Sequence, residues 1–221
     1  MRSLALVLWG MASSTAVNET VVSWRRALEP LQDHNTTYDV FAHLIVPHGS
    51  DTHIFHRRLH KVLSTSGAAP LSLIVEPGSA ATDFMQSMTC YQQSDSRAQR
   101  WLLRNLYSQF QALRMTIETA QEYQTILLVR CDIAATSLNI STVADPGKQA
   151  VHIAATNDES GNSDVVVLGD VAVMRLHATR LLHFNVYCTS RSFDYLLFTD
   201  DYYRQMNLAV YDMPCNLTDH A

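Results

Sequence analysis

The sequence contains few of the residues that mark linkers, metal ribbons or nucleic-acid-binding surfaces. Only 7 glycines and 6 prolines occur in 221 residues, which excludes a collagen-like or linker-dominated chain. The 4 cysteines are widely separated and form no Cys-x-x-Cys pair, so a zinc ribbon is not indicated. The formal charge is -5 and no basic stripe is present, which argues against nucleic acid as a partner. No apolar run reaches the ~20 residues of a membrane span.

What is present indicates a folded protein with a large core. Hydrophobic residues make up 47% of the chain and charged residues 17%, which is enough apolar material for one substantial domain. The length, about one and a half times that of a common domain, predicts a single domain over 1–221.

The compartment is open to two interpretations. The four cysteines are compatible with two disulfides or with buried thiols. Four Asn-x-Ser/Thr sequons favour the secretory pathway, either the Golgi lumen or secretion; they begin at Asn18, Asn35, Asn139 and Asn216. A cytoplasmic location is the alternative.

The N-terminus also has two interpretations. Residues 1–16 resemble a short signal peptide, with Arg2 as its basic end and small residues before a cleavage site at Ala16. Alternatively, the apolar residues 4–9 form the first buried strand, which ends at Gly10. We favour the strand because the rest of the chain alternates strands and helices.

The hydrophobic pattern predicts an α/β fold. Short apolar strands are expected at 4–9, 38–46, 71–75, 125–130, 150–154, 164–168 and 208–211. Helices are expected at 19–31, 51–63, 97–122, 171–181 and 195–206, and 79–96 is expected to be mainly a loop. Strands that are apolar throughout are buried on both faces, so we expect a Rossmann-like three-layer fold: a largely parallel central sheet flanked by helices.

The most informative polar residues follow the strand at 125–130. Arg130 and Asp132 are two residues apart, so strand alternation places them on the same side. Ligands of open α/β sheets bind at the carboxyl ends of strands. Arg130 is therefore a candidate for holding a phosphate, and Asp132 for holding Mg²⁺ or Mn²⁺. The alternative is a structural Arg–Asp pair at a strand end.

Other polar residues are weaker candidates. Asn157 and Asp158 lie in a polar loop whose oxygens are suited to a sugar hydroxyl or a cation, although a solvated turn explains them equally simply. Asp170 is best explained as a helix cap. His53, His56 and His60 are best explained as a solvated helix face.

The order of these segments resembles that of glycosyltransferase-like proteins with a nucleotide-diphospho-sugar-binding α/β fold. The segments that carry the resemblance are a first strand ending in Gly10, Ser23-Trp24, Tyr-Asp-Val-Phe-x-His at 38–43, Tyr-Ser-Gln-Phe at 107–110, Arg130-x-Asp132, and Asp164 to Gly169 followed by Met174. The resemblance covers most of the chain.

The resemblance implies a metal-dependent glycosyltransferase that takes a nucleotide-sugar donor and a glycan or protein acceptor. It implies donor-binding roles for Arg130, Asp132, Asp164, Gly169 and Gly10. The chain departs from the family pattern because Arg130 stands where an Asp-x-Asp motif would have its first Asp. No catalytic base is assignable from the sequence. A non-catalytic secreted or luminal interaction domain of the same fold is the alternative.

Overall fold

The computed structural model describes residues 2–12, 14–29, 38–47, 49–65, 70–88, 97–119, 123–138, 149–154, 165–187, 195–213 and 215–219. The strands within these ranges are β1 (Arg2–Met11), β2 (Tyr38–Val46), β3 (Pro70–Pro77), β4 (Tyr123–Arg130), β5 (Ile133–Leu138), β6 (Ala150–Ala154), β7 (Val166–Asp170), β8 (Ala209–Asp212) and β9 (Cys215–Asp219). The helices are α1 (Ser14–Leu28), α2 (Thr52–Thr65), α3 (Gly78–Gln86), α4 (Arg97–Ile117), α5 (Val171–Ala178), α6 (Arg180–Tyr187) and α7 (Tyr195–Gln205).

Seven of the described strands form one twisted sheet in the order β3-β2-β1-β4-β7-β6-β8. The pairings β1–β2, β1–β4, β2–β3 and β6–β8 are parallel, and β7 is antiparallel to both β4 and β6. The predicted Rossmann-like α/β fold with a largely parallel sheet is therefore confirmed. Strands β5 and β9 form a separate two-stranded sheet.

The sheet separates two apolar cores, as a three-layer fold requires. One core contains Trp9, Phe41 and Leu128 and is covered by helices α3 to α7. The other contains Leu8 and Trp24 and is covered mainly by α1 and α2. Because successive side chains of a strand alternate between the two faces, β1 supplies apolar residues to both cores.

Residues 4–9 lie in a strand, as the favoured interpretation of the N-terminus predicts. β1 runs between β2 and β4, and its residues pair with both neighbours over almost its whole length. Leu4 to Trp9 are all buried. The β1 strand therefore lies in the interior of the sheet.

Three local predictions need correction. The segment 79–96 was expected to be mainly a loop, but it begins with helix α3, which buries Ala81 and Met85 one turn apart. The single helix expected at 171–181 is two helices, because the chain leaves the helix at Thr179. The strand expected to turn at Gly169 continues to Asp170, and the sequence pattern missed β5 and β9.

Candidate functional site

Arg130 and Asp132 form an ion pair at the carboxyl end of β4. The Nε of Arg130 lies 2.6 Å from Oδ1 of Asp132, so the two side chains share one side of the sheet, as alternation predicts. Arg130 is 12% exposed and Asp132 is 29% exposed. The pair is thus partly desolvated, which strengthens its electrostatic interactions, and it is still reachable from solvent.

Gly10 lies directly beside this pair, at the carboxyl end of β1. Trp9 is in register with Arg130, and the Cys131 N–H donates to the Trp9 carbonyl at 2.8 Å. Gly10 has a φ of +118°, a conformation that L side chains rarely adopt. A Cβ at this position would lie 3.3 Å from Cγ of Arg130 and 3.5 Å from Sγ of Cys131. Glycine is therefore required both by the backbone and by the close approach of Arg130.

Helix α4 fixes the end of β1 through a buried hydroxyl. The Gly10 N–H donates to Oγ of Ser108 at 3.0 Å. The Ser108 hydroxyl donates to the His43 carbonyl at 3.1 Å. Nδ1 of His43 lies 3.0 Å from Oγ of Ser108. Ser108 and His43 are fully buried, so they position the backbone and do not reach a ligand.

The carboxylate of Glu76, on the edge strand β3, lies next to His43 and Tyr107. Oε2 of Glu76 lies 3.3 Å from Nε2 of His43 and accepts a hydrogen bond of 2.9 Å from the Tyr107 hydroxyl. The hydrogen bond from His43 lowers the pKa of Glu76, against the opposing effect of burial. Burial and the bond to Glu76 raise the pKa of Tyr107 to about 12, so this phenol remains a donor at neutral pH.

The donor atoms at this edge fit a cation that arrives with a phosphate-containing ligand. Among the residues that the structure describes, no three His, Cys, Asp or Glu side chains lie together as a metal cluster. Mg²⁺ usually takes only one or two carboxylates and completes its shell with water and substrate phosphates. Asp132 has a second carboxylate oxygen besides the one that accepts from Arg130, and this oxygen could serve as one such ligand.

The structure does not bring Gly169 to this edge. Because β7 is antiparallel to β4, Val166 pairs with Val129 near the carboxyl edge, whereas Gly169 pairs with Ile126 further down the sheet. A Cβ at Gly169 would lie 3.0 Å from Cγ1 of Val173, so this glycine permits close packing of α5. The donor-binding role of Gly169 was implied by the resemblance alone.

The other predicted residues have mixed outcomes. Asp170 caps α5, with Oδ1 accepting from the Val173 N–H at 2.7 Å, as predicted. Asp164, Asn157 and Asp158 lie outside the described residues. Cys131 and Cys215 are free thiols, while Cys90 and Cys188 also lie outside the described residues.

Several residues that define the site gave little signal in the sequence. His43, Glu76 and Ser108 come from three different elements, and only the fold brings them together. The Tyr-Ser-Gln-Phe segment at 107–110 contributes to the family resemblance, but its sequence predicts no role for these residues. In the structure, Tyr107 connects α4 to β3 and Ser108 connects α4 to β1. Similarly, Ser23 and Trp24 hold β5 against α1: Ser23 Oγ accepts from the Ala135 N–H, and Trp24 donates to the Ile133 carbonyl.

Within the described part of the chain, none of the helices combines the length and apolar character that a membrane crossing needs. No protein-family model and no curated protein sequence is significantly similar to the chain.

Similarity to solved structures is evident at the level of the fold. An active-site mutant of LgtC, a galactosyltransferase, is 12% identical with a TM-score of 0.50, and the match covers 93% of this chain and 72% of LgtC. The glycosyltransferase GlyE of Streptococcus pneumoniae is 12% identical with a TM-score of 0.46, over 97% of this chain and 46% of GlyE. A nucleoside-diphosphate-sugar pyrophosphorylase of Vibrio cholerae is 10% identical with a TM-score of 0.47, and the match covers 95% of this chain and 91% of the pyrophosphorylase.

The chain spans less than half the length of GlyE. At these identities the similarity concerns the fold. The resemblance that the sequence predicted is confirmed at that level: this chain has the glycosyltransferase-like α/β fold that LgtC also has.

Proposed function

We propose that the chain transfers a sugar from a nucleotide-sugar donor to a glycan or protein acceptor. The observation that carries this proposal is the Arg130–Asp132 pair, which lies partly exposed beside Gly10 at the carboxyl ends of β4 and β1. Ligands of open α/β sheets bind at this edge. The similarity to the fold of a galactosyltransferase supports the same reaction class.

Arg130 binds the diphosphate in this proposal. Transfer of the sugar leaves a nucleoside diphosphate, on which negative charge develops, and a fixed guanidinium stabilises that charge as it forms. Arg130 is held in place by its bond to Asp132 and by close packing against Gly10. An arginine also matches the geometry of phosphate oxygens better than a lysine does.

Asp132 holds a divalent cation, Mg²⁺ or Mn²⁺, when the donor binds. Such a cation supplies further neutralisation of the diphosphate. The loop that contains Asn157, Asp158 and Asp164 contributes to sugar or acceptor binding. The sequons lead us to propose further that the chain works in the secretory pathway.

Thermal unfolding with and without ligands tests the proposal. The wild-type protein is heated with UDP-glucose, UDP-galactose or GDP-mannose, each with and without MnCl₂. We expect at least one donor to raise the Tm, with a larger rise when Mn²⁺ is present. Asp132→Asn should remove the Mn²⁺-dependent part of the rise, and Arg130→Ala should remove most of the whole rise.

A second ion pair of nearly the same geometry provides the control. Nε of Arg114 lies 2.8 Å from Oε1 of Glu118, but this exposed pair is at the end of α4, near the amino edge of the sheet. Arg114→Ala and Glu118→Gln should leave the ligand-induced rise in Tm unchanged. If no donor raises the Tm of the wild-type protein, the non-catalytic interaction domain becomes the better proposal.

A further inference from the structure

Helix α4 extends past the carboxyl edge of the sheet. Ser108, in the middle of α4, bonds to Gly10 at the carboxyl end of β1. The helix then descends to Ile117, and β4 begins at Tyr123, which pairs near Arg2 at the opposite edge. Since an α-helix rises 1.5 Å per residue, the first turns of α4 stand roughly 10 Å above the level of Gly10.

Trp101 lies on the same side of α4 as Ser108, the residue that bonds to Gly10. It precedes Ser108 by seven residues, so the two side chains project from α4 within roughly 20° of each other. Ser108 and Ala112, on the same stripe, are fully buried against the sheet, but Trp101 is 40% exposed. The indole ring therefore projects from α4 on the side that carries Ser108, about two turns beyond the level at which Ser108 bonds to Gly10.

Arg104 adds a positive charge to the same side of α4, one helical turn before Ser108. Nε of Arg104 is buried and has no hydrogen-bond partner among the described residues, and Nη2 makes one long bond of 3.4 Å to Oγ1 of Thr82. No carboxylate among the described residues lies within ion-pair distance of this guanidinium. A half-buried arginine without a carboxylate is a favourable site for an anion, because the cost of desolvating it is already met.

We propose that Trp101 is the stacking platform for the base of a nucleoside diphosphate, with Arg104 as a second cation for its phosphates besides Arg130. A flat aromatic ring and two guanidinium groups together match a ligand that has a planar base at one end and phosphates at the other. This inference rests on the proposed function of the carboxyl edge and extends its binding site to α4. It adds two residues that neither the sequence motifs nor the ion pair indicated.

Tryptophan fluorescence gives a direct test. The chain has 3 tryptophans, all within the described residues; Trp9 and Trp24 are buried, so Trp101 dominates any response to an external quencher. The wild-type protein is titrated with UDP, GDP, ADP and inorganic pyrophosphate. We expect at least one nucleoside diphosphate to change the Trp101 emission and to protect it from iodide quenching, and pyrophosphate to give no protection.

Variants separate stacking from charge when binding is followed by calorimetry. Trp101→Ala should weaken the preferred nucleoside diphosphate by about 5- to 140-fold, the usual effect of removing one base–aromatic stack. Its affinity for pyrophosphate should not change, and Trp101→Phe should restore most of the nucleotide affinity. Arg104→Gln should weaken the nucleotide and pyrophosphate alike, and Arg104→Lys should weaken both less.

Leu71→Ala is the matched control for loss of an exposed apolar side chain. Leu71 is 45% exposed in the edge strand β3, near its amino end and away from the site, so its removal should leave binding unchanged. If Trp101→Ala binds the nucleotide as tightly as the wild type while Arg130→Ala loses it, the stacking role is wrong and the proposed function stands. If the wild type binds no nucleoside diphosphate, both proposals are wrong.

Discussion

Two arginines of this protein are withdrawn from water in different surroundings. Arg130 lies at the edge of the sheet, pairs with a carboxylate and keeps some exposure. Arg180 is fully buried between α4, α5 and α7, where its Nη2 lies 2.6 Å from Oε1 of Gln109 and 2.8 Å from Nε2 of His177. The guanidinium also lies over the ring of Tyr203, 5.8 Å from its centroid.

Arg180 belongs to a structural network in the protein interior, whereas Arg130 belongs to the candidate site at the edge of the sheet. The interior cluster around Arg180 connects four helices, α4 to α7, through hydrogen bonds, and no ligand can reach it without displacing them. The ion pair of Arg130 joins it to Asp132, two residues along the chain, and both side chains keep some exposure to solvent. Buried charges of the first kind contribute to the uniqueness and stability of a fold, and charges of the second kind are available for binding.

The largest expected effect is on the interior cluster. Arg180→Met removes the buried guanidinium that lies within hydrogen-bond distance of Oε1 of Gln109 and Nε2 of His177, and a hydrogen bond to a charged group contributes about 1.5–3 kcal/mol. We expect a loss of about 3 kcal/mol in the free energy of unfolding, measured by urea denaturation. Nucleotide affinity of the folded protein should be unchanged. A variant as stable as the wild type would show that the cluster is not what stabilises this region.

Two glycine variants sharpen the comparison at the edge. Gly10→Ala places a side chain at φ +118° and 3.3 Å from Arg130 Cγ, whereas Gly49→Ala meets a positive φ of +85° with no atom within 4 Å. Backbone strain of this kind costs about 1–3 kcal/mol, so both variants should be less stable. Only Gly10→Ala should also lose nucleotide affinity, because only there is an arginine displaced. Equal binding by the two variants would contradict the role assigned to Gly10.

The pH dependence of stability tests the interior cluster in another way. Burial, reinforced by the charge of Arg180, keeps the pKa of His177 well below its usual value. The unfolded chain therefore takes up a proton near pH 6.5 that the folded protein does not, and stability falls as the pH drops below this value. The slope for one histidine is at most about 1.4 kcal/mol per pH unit.

His177→Gln should reduce this slope between pH 7.5 and 5.5 in urea denaturation experiments. His53→Gln, on the exposed side of α2, is the control and should leave the slope as it is in the wild type. An unchanged slope in His177→Gln would mean that another group is responsible for the acid sensitivity.

The smallest effect on stability is expected at the candidate site itself. Arg130→Met removes a partly exposed ion pair, which typically contributes no more than about 1 kcal/mol. The free energy of unfolding should therefore stay within about 1 kcal/mol of the wild-type value, while the ligand-induced rise in Tm is lost. A loss of stability as large as that of Arg180→Met would mean that the two arginines have the same structural role.

Much of the architecture was predictable from local patterns. β2 and β6 begin and end where their apolar runs do, and Asp51 accepts from the His53 and Ile54 N–H groups at the start of α2, as the cap prediction requires. The start of α3 was missed because a Pro-Gly pair is a common turn signal, and here it begins a helix instead.

Strand direction was less predictable than strand position. The apolar run at 164–168 identified β7, but nothing in it distinguishes a parallel from an antiparallel neighbour. The same residues are buried in both arrangements, because the strand is covered on both faces. The donor-binding role of Gly169 was implied by the resemblance alone, and in the structure this residue packs closely against α5.

The sequence by itself determined most of the strands and helices, and it placed Arg130 and Asp132 on the same side of a strand end, because these properties depend on residues close together in the chain. Only the tertiary structure decided which side chains surround that pair. Gly10, Ser108, His43 and Glu76 meet because four elements converge at one edge of the sheet. Such contacts depend on packing between distant segments, which local hydrophobic patterns do not encode.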